Sequence, residues 1–232
     1  MPTRQLQERE YYKIDPREIL HDILDPTAKK RLVEVRGVEF FCCPHVYPSE
    51  RFRTTNFLLE TVAPFLKHST VCDMGCGPGI VGLFAVNQGA KKVVQCDINP
   101  YAVENAIENR TYHEILSREL EVYESDCFDG IPQQTFDVII FNPPFHSDLI
   151  DIKDPLEHAF FDPNFKTVQK FLKQAEQYSN DQTKIFIAFS NKGDIRSLEG
   201  IFQLSSFEWE IWSQINQDKE FDNRIYMLWK KQ

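Results

Sequence analysis

The chain has 232 residues, of which 42% are hydrophobic, and this apolar content is enough for one main core but not for two large ones. The N-terminus is polar and no run approaches the roughly 18 apolar residues of a membrane span, so we expect a soluble, cytoplasmic protein. Its 26 Lys and Arg residues against 35 Asp and Glu give a net charge of −9, which excludes a general attraction to nucleic-acid phosphates.

Residues 1–48 are predicted to form an accessory segment ahead of the main domain. Asp15 and Pro16 are typical of a helix start, and the apolar stripe that follows them ends before Pro26. Apolar residues alternate on either side of Arg36 and Gly37, which predicts a β-hairpin with its turn at these two residues. The accessory segment is therefore expected to contain one helix and one hairpin.

Residues 49–232 are predicted to form the main domain. Helical and strand-like patterns alternate there, which is typical of a parallel sheet covered by helices on both faces. The predicted helices cover 54–66, 80–87, a segment that begins at Pro100, and 165–178; the predicted strands cover 70–74, 93–97, 120–123, 136–141 and 185–189. Near the end, two alternating segments around Trp209 and Met227 are joined without a helix, so they are expected to pair antiparallel.

The first of these strands leads into a glycine-rich loop with the sequence DMGCGPGIVG, which starts at Asp73. Gly75, Gly77 and Gly79 let the backbone turn sharply and let a ligand approach the main chain. The spacing of Gly77, Gly79 and Gly82 also satisfies the GxGxxG pattern, so a dinucleotide remains one alternative ligand.

Charge favours S-adenosylmethionine over a dinucleotide at this loop. Asp73 would repel a pyrophosphate, whereas it would attract the ammonium and sulfonium groups of S-adenosylmethionine. Asp97, at the end of the second strand, suits a bidentate hydrogen bond to ribose hydroxyls, which both ligands carry. Ile98 can pack on an adenine face, and Asp126 with Cys127 can meet the adenine edge.

The segment FNPPF, from Phe141 to Phe145, follows the fourth strand, where an open α/β sheet forms its ligand crevice. Two prolines stiffen this turn, so the amide of Asn142 and the carbonyl of Pro143 can accept both protons of a planar NH2 group. The nitrogen lone pair is then free to face a methyl group, and Phe145 can stack on the plane that carries the amine. Methyl transfer from a sulfonium needs this alignment more than a strong base.

The motifs DMGCGPG, CDINPYAVENA and FDVIIFNPPF together resemble the class I S-adenosylmethionine-dependent methyltransferases with an NPP(F/Y) motif, which include release-factor glutamine and ribosomal RNA guanine-amino methyltransferases. The resemblance covers about residues 46–232. It implies a Rossmann-like, seven-stranded, mostly parallel sheet with a reversed last strand, and N-methylation of a planar amino or amide nitrogen. It implies contacts to S-adenosylmethionine at Asp73, Gly75, Gly77, Asp97 and Asp126, and contacts to the acceptor amine at Asn142, Pro143 and Phe145; we count Asn142 among the cofactor contacts as well.

Residues 45–60 resemble the segment that closes over the methionine end of the cofactor in such enzymes, with Thr54 or Thr55 as candidate contacts. His146 resembles the residue that follows the motif in the ribosomal RNA enzymes. The acidic stretch 147–164 is predicted to be a lid, and its charge suits a basic protein better than a phosphate backbone. The acceptor, protein or RNA, stays open, and the acidity slightly favours protein.

Two other classes of function remain as alternatives. The first is a nicotinamide-dependent oxidoreductase, which the GxGxxG spacing permits. The second is a non-catalytic subunit that binds the cofactor and serves a partner. A metal site is not expected, because the six cysteines contain no CxxC pair.

Overall fold

In the computed structural model, the described residues are Leu20, His21, Leu24 and the ranges 27–148, 150–217 and 221–231. Most of the helix that was predicted to start at Asp15 lies outside the described residues. The two described residues within it that are helical are Leu20 and His21. No helix in the described ranges is long and apolar enough to cross a membrane.

Strands and helices alternate along most of the described chain. The strands are β1 (Arg31–Val35), β2 (Val38–Cys42), β3 (Thr70–Met74), β4 (Lys92–Asp97), β5 (Leu120–Glu124), β6 (Val138–Phe141), β7 (Lys184–Ser190), β8 (Phe207–Gln217) and β9 (Phe221–Lys230). The α-helices are α1 (Arg53–Val62), α2 (Ile80–Asn87), α3 (Pro100–Tyr112), α4 (Lys166–Tyr178) and α5 (Ile195–Leu204).

Seven strands form one sheet in the order β5-β4-β3-β6-β7-β9-β8. The strands from β5 to β7 are parallel to their neighbours, β9 is antiparallel to β7, and β8 is antiparallel to β9. The predicted Rossmann-like sheet with an antiparallel end is therefore confirmed. Because β3 is central, with β4 and β6 on its two sides, the glycine loop and FNPPF leave the sheet next to each other.

Successive residues of a strand point to opposite faces of the sheet, and helices cover both faces. Cys72 packs with α4 and α5 on one face, whereas Val71 packs with α1 and α2 on the other. The hairpin of β1 and β2 covers the second face, where Phe40 is fully buried in the same core. Its turn is the predicted one, with left-handed φ values of 56° at Arg36 and 76° at Gly37.

Three elements differ from the sequence prediction. The helix predicted over 54–66 is α1, and it ends at Val62. A separate 3-10 turn follows, because Pro64 has no N–H for a continuing α-helix. The strand predicted over 136–141 is β6, and it starts only at Val138. The N–H of Phe136 donates instead to the carbonyl of Tyr178 at 3.0 Å. Helix α5 was not predicted, although Asp194 provides an N-cap signal in the sequence.

Candidate functional site

A cavity of about 250 Å³ lies at the carboxyl ends of the parallel strands. Its lining includes seven of the residues predicted to contact the cofactor, namely Gly75, Gly77, Asp97, Ile98, Asp126, Cys127 and Asn142. It also includes the three residues predicted to contact the acceptor, Asn142, Pro143 and Phe145. The structure therefore brings both predicted sets together in one cleft.

The carboxylate of Asp97 is held in place by backbone N–H groups on both of its oxygens. Gly77 donates to Oδ2 and Asn99 donates to Oδ1, each at 2.9 Å. Burial raises the pKa of Asp97, and these two hydrogen bonds oppose the rise. Each oxygen keeps further acceptor capacity toward the cavity, which a pair of ribose hydroxyls can use.

Asp73 and Gly79, which were also predicted to contact the cofactor, do not line the cavity. Asp73 is 2% exposed, and the side-chain amide of Gln95 donates to its carboxylate at 2.8 Å. Burial raises the pKa of Asp73 to about 7. Gly79 has a φ of 88°, and a Cβ there would lie 3.1 Å from the Cβ of Ala106 in α3. Both residues support the loop from its packed side.

Asparagines of α3 join the glycine loop to the accessory segment. The side-chain NH2 of Asn109 donates to the carbonyl of Phe41 at 2.8 Å and to that of Pro78 at 2.7 Å. At the start of the same helix, Asn99 donates to the carbonyl of His45 at 2.8 Å. The hairpin is thereby fixed relative to the loop, together with the chain that continues from it to the cavity.

Aromatic residues cover one side of the cavity, and sequence reasoning did not identify them. The rings of Tyr47 and Phe52 stack with their centroids 4.8 Å apart, and Phe160 of the predicted lid lies 5.5 Å from Tyr47. All three line the cavity. Of the two predicted threonines in this segment, Thr54 lines the cavity and Thr55 does not.

Most carboxylates of the predicted lid are engaged within the fold. Asp154 and Glu157 form a capping box at a 3-10 turn. Asp162 accepts hydrogen bonds from backbone N–H groups of α4 at 2.8 and 3.1 Å. Only Asp148 and Asp151 among the five acidic residues are exposed. The lid therefore presents less negative charge than its composition predicts, and this weakens the preference for a basic protein.

Asn142 carries an unsatisfied acceptor at the centre of the site. Its side-chain oxygen Oδ1 is buried and has no hydrogen-bond partner among the described residues. Leaving a buried acceptor unpaired costs about 1–3 kcal/mol, so this atom marks a place for a donor from a ligand. Beside it, the edge of Phe189 meets the ring of Phe145 at 5.1 Å and holds that ring at the cavity.

The predicted site also lacked residues from the strand next to FNPPF and from the lid. Ser190, Lys192 and His158 line the cavity, as does His146, the residue that follows FNPPF. Ser190 and Lys192 come just after the strand predicted over 185–189. The expectation that residues at the carboxyl ends of parallel strands form the ligand crevice, which indicated Asn142, therefore also applied to them. His158 had no such signal, because its position depends on how the lid folds.

Two curated relatives match part of the chain. A protein of Methanocaldococcus jannaschii, provisionally named a protein N5-glutamine methyltransferase, is 35% identical over 114 residues, which cover 49% of this chain and 54% of the relative. The ribosomal RNA small subunit methyltransferase C of Vibrio vulnificus is 31% identical over 151 residues, which cover 65% of this chain and 39% of the relative. The chain thus spans about half or less of these relatives' lengths.

Solved structures show the same fold at low sequence identity. A T. thermophilus 16S rRNA N2 methyltransferase, in complex with AdoMet and guanosine, aligns with a TM-score of 0.65 and 18% identity, covering 88% of this chain and 50% of that one. A ribosomal protein L11 methylase of Lactobacillus delbrueckii aligns with a TM-score of 0.57 and 18% identity, covering 78% of this chain and 79% of that one.

The family model described as methyltransferase small domain matches residues 38–206, which is more than half of the chain. The match includes the second strand of the hairpin, the glycine loop, FNPPF and the lid. The resemblance inferred from the sequence motifs is therefore confirmed, and the chain belongs to the methyltransferase small domain family.

Proposed function

We propose that this chain is an S-adenosylmethionine-dependent N-methyltransferase that acts on a planar amino or amide nitrogen. The observation that carries the proposal is the buried, unpaired Oδ1 of Asn142, in the same cavity as the carboxylate of Asp97. An NH2 group is a donor that satisfies this acceptor, and Asp97 is an acceptor for ribose hydroxyls.

The lining residues that follow β3, β4 and β5 form what we call the cofactor half of the cavity. Asp97 would accept the ribose hydroxyls, and the half-exposed Ile98 and the Cys127 segment would lie against the adenine. Burial raises the pKa of the Cys127 thiol to about 12, so this side chain is neutral and suits the edge of an uncharged base. S-adenosylmethionine, when bound, supplies an electrophilic methyl group on a sulfonium.

The lining residues that follow β6 and β7 form the acceptor half. Asn142 Oδ1 and the Pro143 carbonyl would accept the two protons of the acceptor NH2, which directs the nitrogen lone pair toward the methyl group. Phe145 would stack on the acceptor plane and fix its tilt. The nitrogen would gain the methyl group as the carbon–sulfur bond of the sulfonium breaks to leave a neutral thioether, and it would lose one proton to solvent, which these positioning contacts allow without a strong base.

The proposal covers protein glutamine, which the name of the first curated relative gives, and nucleobase amines, since the second relative is named a ribosomal RNA methyltransferase and the T. thermophilus structure is titled a 16S rRNA N2 methyltransferase. We also propose a cytoplasmic location. All six cysteines are free, which suits a reducing compartment.

The test uses cell lysate and S-adenosylmethionine with a radiolabelled methyl group. Replacing Asn142 by Ala should abolish labelling while the affinity for S-adenosylhomocysteine, measured by calorimetry, stays unchanged. Asn216→Ala, at an exposed position of β8, is the matched control and should label normally. Lysate treated with RNase or with protease before the assay then shows the class of acceptor. Undiminished labelling by the Asn142 variant, or binding of NADH in place of S-adenosylhomocysteine, would refute the proposal.

A further inference from the structure

The acidic and the basic residues that line the cavity come from different strands of the sheet. The proposed function gives a role to the acidic residues but not to the basic one. Asp97 is the last residue of β4 and Asp126 follows β5, whereas Lys192 follows β7. The strands β4 and β7 are three spacings apart in the sheet, or about 14 Å. The cavity therefore has carboxylates where the cofactor is proposed to bind and a cation beyond Asn142.

The carboxylates closest in the chain and sheet to Lys192 have other partners. Asp194 accepts two hydrogen bonds from Ser197 at the start of α5. Asp222 and Glu199 both form ion pairs with Arg224, at 2.8 and 2.9 Å. Within the described ranges no ion pair involves Lys192, whose side chain is exposed at the cavity edge. Its charge is available to a ligand.

The turn that carries Lys192 is fixed against the acceptor residues. The N–H of Gly193 donates to the carbonyl of Ser190 at 3.0 Å and closes the turn. A Cβ at Gly193 would overlap the carbonyl oxygen of Phe145 and the ring of Phe189, so the two segments lie in direct contact. The backbone of Lys192 thus has a defined position relative to the ring of Phe145.

We propose that Lys192 binds a phosphate of the methyl acceptor, and that the acceptor is a nucleotide unit whose base amine lies at Asn142. This inference rests on the proposed function of the same cavity. In a nucleotide, the planar amine and the anion belong to one covalent unit with a restricted separation, which suits the fixed spacing between Phe145 and Lys192. A glutamine amide is uncharged, and an acidic neighbour in a peptide would lie on a separate flexible side chain.

The net charge of −9 is compatible with this arrangement. One lysine that contacts one phosphate needs no basic surface. It releases about one counterion, so binding should weaken only gently with salt, with a logarithmic slope of about −1. Several phosphate contacts would give a proportionally steeper slope.

The experiment compares nucleosides with their monophosphates by calorimetry, in the presence of saturating S-adenosylhomocysteine. The probes are guanosine with GMP, adenosine with AMP and cytidine with CMP; uridine with UMP controls for the base, because uracil has no exocyclic amine. The variants are Lys192→Gln and, as the matched control, Lys166→Gln, which removes an exposed lysine outside the cavity lining.

For at least one amine-bearing base, the monophosphate should bind the unmodified protein and the Lys166 variant about tenfold more tightly than the nucleoside. In Lys192→Gln the two ligands should bind equally. Equal affinities in the unmodified protein, an unchanged ratio in Lys192→Gln, or no measurable nucleotide binding would overturn the inference. Lys192-dependent binding of the peptide acetyl-Glu-Gln-Glu-amide instead would also overturn it. If labelling of lysate still depends on Asn142 in any of these cases, the proposed function stands and only the nucleotide acceptor is rejected.

Discussion

The two halves of the cavity differ in how completely their polar groups are paired. In the cofactor half, Asp97 is held by the N–H groups of Gly77 and Asn99, and the glycine loop is tied to α3 through Asn109. In the acceptor half, the Oδ1 of Asn142 has no partner among the described residues. The cofactor half is therefore preorganised by the protein, whereas the acceptor half is completed by its ligand.

This difference predicts two kinds of variant. A change in the acceptor half should alter turnover and leave cofactor affinity intact, because the hydrogen bonds that hold Asp97 and the glycine loop come from Gly77, Asn99 and Asn109, none of which lies in that half. A change in the cofactor half should alter affinity for S-adenosylhomocysteine first. Variants that fail to separate these two quantities would show that the halves act as one unit.

The largest effect on turnover outside Asn142 is expected at Gly193. An alanine there would push the β7–α5 turn away from the carbonyl of Phe145 and the ring of Phe189. A displacement of about 1 Å at a site that works by positioning costs about 100-fold in rate, so Gly193→Ala should lose about that factor in labelling of lysate. Its affinity for S-adenosylhomocysteine should stay unchanged.

Gly200→Ala is the control for this variant, because a Cβ at Gly200 in α5 would have no heavy atom within 4 Å. It should keep full activity and gain about 0.5–1 kcal/mol of stability from the better helix former. Thermal unfolding checks that both variants are folded. Normal turnover by Gly193→Ala would contradict the assignment of Phe145 to acceptor positioning.

A smaller effect, on affinity, is expected in the cofactor half. Asp97→Ala removes a charged acceptor for the ribose hydroxyls and leaves the N–H groups of Gly77 and Asn99 unpaired. Hydrogen bonds to charged groups contribute about 1.5–3 kcal/mol, so calorimetry should show about 10- to 150-fold weaker binding of S-adenosylhomocysteine. The control Asp181→Ala removes an exposed carboxylate outside the cavity lining, and this variant should bind S-adenosylhomocysteine normally. Unchanged affinity in Asp97→Ala would place the ribose elsewhere.

The predicted site residues that line the cavity lie where local backbone signals mark the end of a strand. Gly75, Gly77, Asp97 and Asn142 all follow predicted parallel strands, and all line the cavity. Asp73 is the last residue but one of β3, and its side chain is buried on a face of the sheet, where the amide of Gln95 donates to its carboxylate.

The residues that sequence reasoning missed depend on long-range packing. Tyr47 and Phe52 reach the cavity because the hairpin is fixed to α3, and Phe160 reaches it because the lid folds back onto them. Neither placement is visible in periodicity, which reports only which face of an element is apolar. A cavity wall built from two segments that are far apart in the chain can therefore be identified only from the tertiary structure.

The smallest expected effect is a pH dependence of stability that arises at Asp73. Burial raises its pKa from an ordinary value of 3.8 to about 7, so between these values the folded protein holds a proton that the unfolded chain has released. The contribution of this group to stability is full below about pH 4 and is lost as the pH rises to about 7. Asp73→Asn cannot titrate. Its free energy of unfolding, measured with urea from pH 4 to 8, should therefore improve relative to the unmodified protein as the pH rises through this window.

All other titratable groups make the same pH-dependent contribution to the free energy of unfolding of both proteins. This contribution cancels when the two free energies are subtracted, because the proteins differ only at residue 73. Asp129→Asn is the control, since the side chain of Asp129 is 56% exposed and its pKa is lowered by a hydrogen bond from Lys170. A lowered pKa contributes stability that is present above the ordinary value and lost as the pH falls, so the difference between this variant and the unmodified protein should stay constant from about pH 5 to 8 and shrink only as the pH falls to 4. If the Asp73 difference is flat across pH 4–7, the carboxylate is ionised throughout. Asp73 would then be an anion beside the cofactor half of the cavity at neutral pH.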